Sequence, residues 1–113
     1  MNAIPPKLRA ELADDPYYRY CVRENGDCRG RITFEHALTY AGRQIQARFA
    51  IIPLCERHHA VGDWQDGGGL MDKRKNEDIA MRRATPEDRK KYPLLPWWRY
   101  PQAPLATGGD AAV

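Results

Sequence analysis

The sequence predicts a small α+β fold in one domain. Three observations carry that reading: a chain of 113 residues, two apolar segments of strand length, and helix-forming runs on either side of them. This length falls inside the range of a single domain, one that buries a smaller fraction of its surface than a larger protein does. Composition divides the chain into an N-terminal helical extension over residues 1–16, a compact domain over 17–92 and a proline-rich, irregular C-terminal tail over 93–113. No stretch approaches the roughly twenty apolar residues that span a bilayer, and the first thirteen residues hold no apolar run of the kind an export signal needs. No membrane association is expected.

Pro5 and Pro6 precede Lys7-Leu8-Arg9-Ala10-Glu11-Leu12-Ala13, good helix formers with proline where a first turn tolerates it, and Asp14-Asp15-Pro16 stops the run. The next block is aromatic and then turn-rich. Glu24-Asn25-Gly26-Asp27 sets Cys21 and Cys28 at the two ends of a tight loop. Arg31-Ile32-Thr33-Phe34-Glu35-His36 alternates apolar and polar side chains, which predicts a strand ending in Glu35 and His36. Ala41-Gly42 breaks the pattern, residues 43–48 read as a loop or a helical turn, and residues 49–54 read as a second strand entering Cys55. Pro53 implies an edge or terminal position on it.

Gly62-Asp63-Trp64-Gln65-Asp66-Gly67-Gly68-Gly69 predicts a loop directly after the His58-His59 pair. Beyond it Asp72 can cap a helix over 73–83, and Thr85-Pro86-Glu87-Asp88 marks a second helix start. Prolines at 93, 96, 101 and 104 argue against regular structure, and the last ten residues are expected to be disordered.

Eighteen Lys and Arg against fifteen Asp and Glu give a net charge of +3, a bias that permits nucleic-acid binding without demanding it. The three cysteines say more. An odd number cannot all close into intramolecular disulfides, whereas cysteines that share a metal with histidine face no parity constraint. Cys21-x6-Cys28 followed by Cys55-x2-His58 offers three sulfurs and one imidazole in two close pairs, the type and number of donors that a tetrahedral structural zinc prefers. The expectation is a structural zinc on Cys21, Cys28, Cys55 and His58, in a reducing, cytoplasmic setting.

Cys21, Cys28, the Glu35-His36 pair ending a strand, and Leu54-Cys55-Glu56-Arg57-His58-His59 together resemble the zinc-stapled HNH endonucleases, also called ββα-metal or His-Me finger nucleases. The resemblance covers roughly residues 17 to 84. Residues 32–45 also resemble short HNH proteins encoded by phages and prophages, which suggests a place in phage DNA metabolism. The resemblance implies a ββα-metal domain with a zinc knuckle. It implies His36 as general base, Glu35 and His59 as ligands of one catalytic divalent cation (Mg²⁺, Mn²⁺ or another transition metal), and Asp63 or Asn76 as a further ligand. His58 then stands where the family usually carries a fourth zinc thiolate. Ala50 stands where the family carries its middle asparagine.

Residues 72–91 hold eight Lys and Arg against five Asp and Glu. Lys73, Arg74, Lys75, Arg82 and Arg83 are the candidates for contacts to DNA phosphates, which fix register without reading bases. Trp97, Trp98 and Tyr100 read either as a platform for bases or as cover for the core. The expected activity is therefore metal-dependent DNA hydrolysis of low sequence specificity, with no organic cofactor and no particular protein partner implied. The alternative is a non-catalytic zinc-stapled nucleic-acid-binding module, and a third reading is a zinc scaffold that docks to another protein.

Overall fold

The computed structural model describes residues 3–23, 28–61 and 70–101, and within these the chain is α+β. In order, the elements are helix α1 (Pro6–Ala13), strands β1 (Ile32–His36), β2 (Thr39–Tyr40), β3 (Arg43–Gln44) and β4 (Ile51–Cys55), then helices α2 (Glu56–Val61), α3 (Leu70–Arg83) and α4 (Pro86–Lys91). Single 3-10 turns occur at Pro16–Arg19, Arg48–Ala50 and Trp97–Arg99. No helix among the described residues is long and apolar enough to cross a membrane.

The central sheet has two strands, β1 and β4, paired antiparallel with Ile32 opposite Cys55 and His36 opposite Ile51. Pairing of this length sets the chemistry-bearing ends of both strands. Glu35 and His36 lie at one end, while Cys55 at the other leads directly into α2. Pro53 sits inside β4, which a two-stranded sheet allows because neither strand has a second neighbour demanding its N–H. Its carbonyl accepts from the backbone N–H of Val22 (3.0 Å), tying the first cysteine segment to the strand.

Four local expectations change. Residues 48–50 form a helical turn, so β4 begins at Ile51 rather than at 49. Residues 39–44 form a second, two-stranded hairpin, turned by Ala41 (φ 53°) and Gly42 (φ 81°), the left-handed pair that short hairpin loops favour. The histidine pair lies on a helix that the local sequence did not signal, since α2 starts at Glu56 and carries both His58 and His59. The segment past Pro93 includes one helical turn and returns to the core, where Tyr100 is buried and Trp97 packs at its edge. The cysteine loop at 24–27, the glycine-rich loop at 62–69 and the last ten residues lie outside the described residues.

β4 is buried along its whole length and divides the interior. Ile52, Leu54 and Cys55 join Leu38, Ile45, Phe49, Ala80, Met81 and Tyr100 in the larger apolar cluster, whereas Ile51 joins Ile4, Leu12 and Tyr18 in a smaller one. α1 thereby closes one side through Leu12, and α3 closes the other through Ala80 and Met81. The two sides are pinned by Arg83 and Tyr18. The Tyr18 hydroxyl reaches the carbonyl oxygens of Arg48 and Ile51 at 2.7 Å each, and Arg83 Nη1 donates to that hydroxyl (2.8 Å) and to the Ile51 carbonyl (3.1 Å).

Candidate functional site

Two groups of polar side chains gather around the start of α2. The first is a cluster of Cys21, Cys28, Cys55 and His58, whose ligand atoms all lie within 4.8 Å of one another. Cys55 ends β4, His58 follows one helical turn later, and Cys21 and Cys28 come from the segment that precedes β1. Glycine is needed on the approach. Gly30 has φ 83°, and a Cβ there would overlap the Glu56 carboxylate. That carboxylate accepts from the backbone N–H of Arg31 (3.2 Å), while the Glu56 N–H donates to the Arg31 carbonyl (2.9 Å), so the chain entering β1 is stitched to the start of α2.

His58 Nδ1 faces the three sulfurs, at 3.1 Å from Cys55 Sγ, 3.4 Å from Cys21 Sγ and 3.7 Å from Cys28 Sγ. Zinc bonds of ordinary length at tetrahedral angles put sulfur and nitrogen ligands about 3.6 Å apart and two sulfurs about 3.8 Å apart, so the set is already close to the required spacing. His58, Cys21 and Cys55 are buried. The cysteines form no disulfide. His58 Nε2 is buried without a hydrogen-bond partner among the described residues, so the imidazole's one engagement is with the sulfurs. This donor set can hold a metal ion such as zinc. It is the one group of three or more such ligands among the described residues.

The thiols differ in their hold on protons. Burial, then the neighbouring Cys21 and Cys55, push Cys28 up to about 12. Burial also acts to raise Cys55, but hydrogen bonds from the backbone N–H groups of His58 and Arg29, and from the His58 ring, outweigh it and hold this thiol down to about 6. Three sulfurs so close cannot all ionise without a cation among them. A soft divalent ion displaces the remaining protons.

The second group is open to solvent. Thr33 and Glu35 lie on one face of β1, and both meet His59 from α2. Thr33 Oγ1 donates to the Leu54 carbonyl (2.9 Å) and is 2.8 Å from His59 Nδ1. The hydroxyl hydrogen is committed to the carbonyl, which can only accept, so His59 Nδ1 carries the hydrogen and donates to Thr33. A neutral His59 ring then presents its Nε2 lone pair to Glu35 Oε1 at 3.4 Å, and a protonated one donates to it. Two acceptors at this separation repel unless a proton or a cation lies between them.

Around the end of β1 a cleft of about 300 Å³ is lined by Glu35, His36, Gln44, Lys73, Asn76 and Glu77, among others. His36 Nε2 bonds to Gln46 Oε1 (2.9 Å). Asn76, buried on α3, joins this cleft, and its Oδ1 accepts from Arg23 (3.5 Å). Asp63 lies outside the described residues. Glu35 thus borders the cleft and also meets His59, whereas His59 itself is not in the cleft lining. Local sequence patterns missed Thr33 and Gln46 because both act through contacts between segments far apart in the chain.

The basic residues of α3 divide among different surroundings. Lys73 faces the cleft together with Asn76 and Glu77, one turn on. Arg74 pairs with Asp78 (3.6 Å). Lys75 and Arg82 border a separate hollow with Arg23, Asp78 and Ile79, and Arg82 also lies over the Tyr100 ring. Arg83 is taken up by Tyr18 and the backbone carbonyls described above and stacks 4.0 Å over Tyr17. Ala50 is wholly buried in the apolar core. Its N–H donates to Ala47 and its carbonyl accepts from Ala37.

No protein-family model, no curated protein and no solved structure matches this chain. What it can do is read from its own side chains: a small α+β domain with a buried cluster able to hold a metal, beside an open Glu-His pair.

Proposed function

We propose that the chain is a metal-dependent DNA endonuclease of the HNH type, stapled by zinc at Cys21, Cys28, Cys55 and His58. The Glu35–His59 pair carries this reading. Glu35 Oε1 and His59 Nε2 stand 3.4 Å apart on an open face, one oxygen and one nitrogen donor of the kinds a divalent ion accepts. A divalent cation, when bound, would supply positive charge against the negative charge that builds up in the transition state, worth several kcal/mol. Glu35 and His59 would hold it, with Asn76 or Asp63 as the further ligand.

His36 is the general base. A water oxygen attacks phosphorus as its proton passes to the imidazole, the bond to the departing deoxyribose oxygen breaks, and that oxygen takes up a proton from solvent. A histidine suits this task because its unperturbed pKa of about 6.5 leaves much of it neutral near physiological pH. Lys73, at the cleft edge, is placed to meet a backbone phosphate, and contacts of that kind carry no sequence information. Low sequence specificity follows.

A second reading, a zinc-stapled nucleic-acid-binding module without catalysis, has one observation in its favour: Ala50, which the resemblance sets against the family's middle asparagine, is wholly buried in the apolar core. Supercoiled plasmid, incubated with the pure zinc-loaded chain and Mg²⁺, Mn²⁺, Co²⁺ or Ni²⁺ in turn, separates the two. Nicking that EDTA stops supports the enzyme. Retarded plasmid left intact under every ion supports the module.

A further inference from the structure

Gln46, just past β3, is held between two partners. Its Nε2 donates to the Ala3 carbonyl oxygen (3.3 Å), and its Oε1 lies 2.9 Å from His36 Nε2. The hairpin of β2 and β3 brings it there. The Ile45 N–H bonds the Leu38 carbonyl (3.1 Å), so the next residue falls beside the end of β1.

The two ends of a side-chain amide have opposite roles, and Ala3 decides which end faces which way. A backbone carbonyl only accepts, so the amide NH₂ must face Ala3 and the amide oxygen must face His36. That oxygen also only accepts, which puts the hydrogen on His36 Nε2. A neutral imidazole carries one ring hydrogen, so the lone pair is on Nδ1.

We infer that Gln46 is a positioning residue, which fixes His36 as its Nε2–H tautomer and leaves Nδ1 as the nitrogen that accepts a proton. The inference rests on the reading of His36 as general base. Gln46 touches no reacting atom. It acts by holding the ring in one tautomer and one orientation, and loss of an orienting partner of this kind typically costs about 10- to 100-fold in activity.

The test uses the zinc-loaded full chain labelled with ¹⁵N, at about pH 8.5 where an unperturbed imidazole is neutral. Proton–nitrogen spectra distinguish a protonated ring nitrogen from a bare one. Wild type should show His36 Nε2 protonated and Nδ1 bare, Gln46→Leu a mixture of tautomers, and Gln46→Glu, which keeps an acceptor oxygen, the wild-type pattern. On plasmid, Gln46→Leu should lower kcat by about 10- to 100-fold with KM unchanged, and Gln46→Glu should recover most of it. Wild-type protein with hydrogen on Nδ1, or Gln46→Leu with the wild-type pattern, overturns the inference. If Gln46→Leu does not fold, the wild-type and Gln46→Glu spectra decide it. A wild type that cleaves nothing yet shows the Nε2–H form contradicts the nuclease reading alone.

Discussion

His58 and His59 are neighbours in the chain, yet their surroundings are opposite. The ring of His58 is buried among three sulfurs, whereas the side chain of His59 is 41% exposed and meets a hydroxyl and a carboxylate. A helix turns about 100° per residue, so successive side chains at the start of α2 point to different sides. One short helix therefore serves both a closed group of three sulfurs and an imidazole and an open pair of an imidazole and a carboxylate. Structural metal sites are closed and catalytic ones keep positions for water and substrate. On the proposed reading, the closed site serves stability and the open one chemistry.

The contrast breaks most readily at Cys55. Cys55→Ala removes one sulfur and the centre of the thiolate hydrogen bonds, so it should lose zinc and with it several kcal/mol of folding free energy, leaving a largely unfolded chain by circular dichroism. His59→Ala should stay folded with one zinc per chain by metal analysis, and should lose cleavage that added divalent ion restores in part. Equal loss of fold in both variants would erase the distinction.

A smaller effect sharpens it through pH. Cys28, pushed up to about 12, still holds its proton near neutrality, whereas Cys55, held down to about 6, has largely released its own. Binding zinc must displace at least the Cys28 proton. Affinity should thus fall as pH falls, by at least about tenfold per unit between pH 8.5 and 6.5, and more steeply below about 6 where Cys55 takes up a proton too. Competition against a chromophoric chelator measures this, and a flat profile would mean the sulfurs do not bind as thiolates. The smallest effect is at Lys73. Lys73→Ala should weaken DNA binding uniformly across sequences and reduce the slope of log affinity against log salt by about 1, in a titration of binding against salt.

The residues of both sites were legible in the sequence, but the contacts that orient those of the open one were not. Cys21, Cys28, Cys55 and His58 announce themselves by residue type and pairing, and β1 ends at Glu35-His36 as its alternation predicts. By contrast, the bonds that set the imidazoles of the open site, Thr33 to His59 and Gln46 to His36, cross 26 and 10 residues. No local periodicity encodes them. Helix α2 escaped because six residues with two histidines carry no capping signal. The basic run of α3 reads as one patch in one dimension. Folding a helix through it sends Lys73 to the cleft and Arg83 to the Tyr18 hydroxyl and backbone carbonyls inside the fold.

The central claim, that the open group does hydrolytic chemistry while the closed one holds the fold, is tested most directly at His36. Its imidazole lies outside the cysteine cluster, so His36→Ala should keep zinc content and melting temperature near wild type. Plasmid cleavage should fall by about 10²–10⁴-fold, the usual worth of general-base assistance. Cleavage by His36→Ala at the wild-type rate, with zinc and fold intact, would contradict the account.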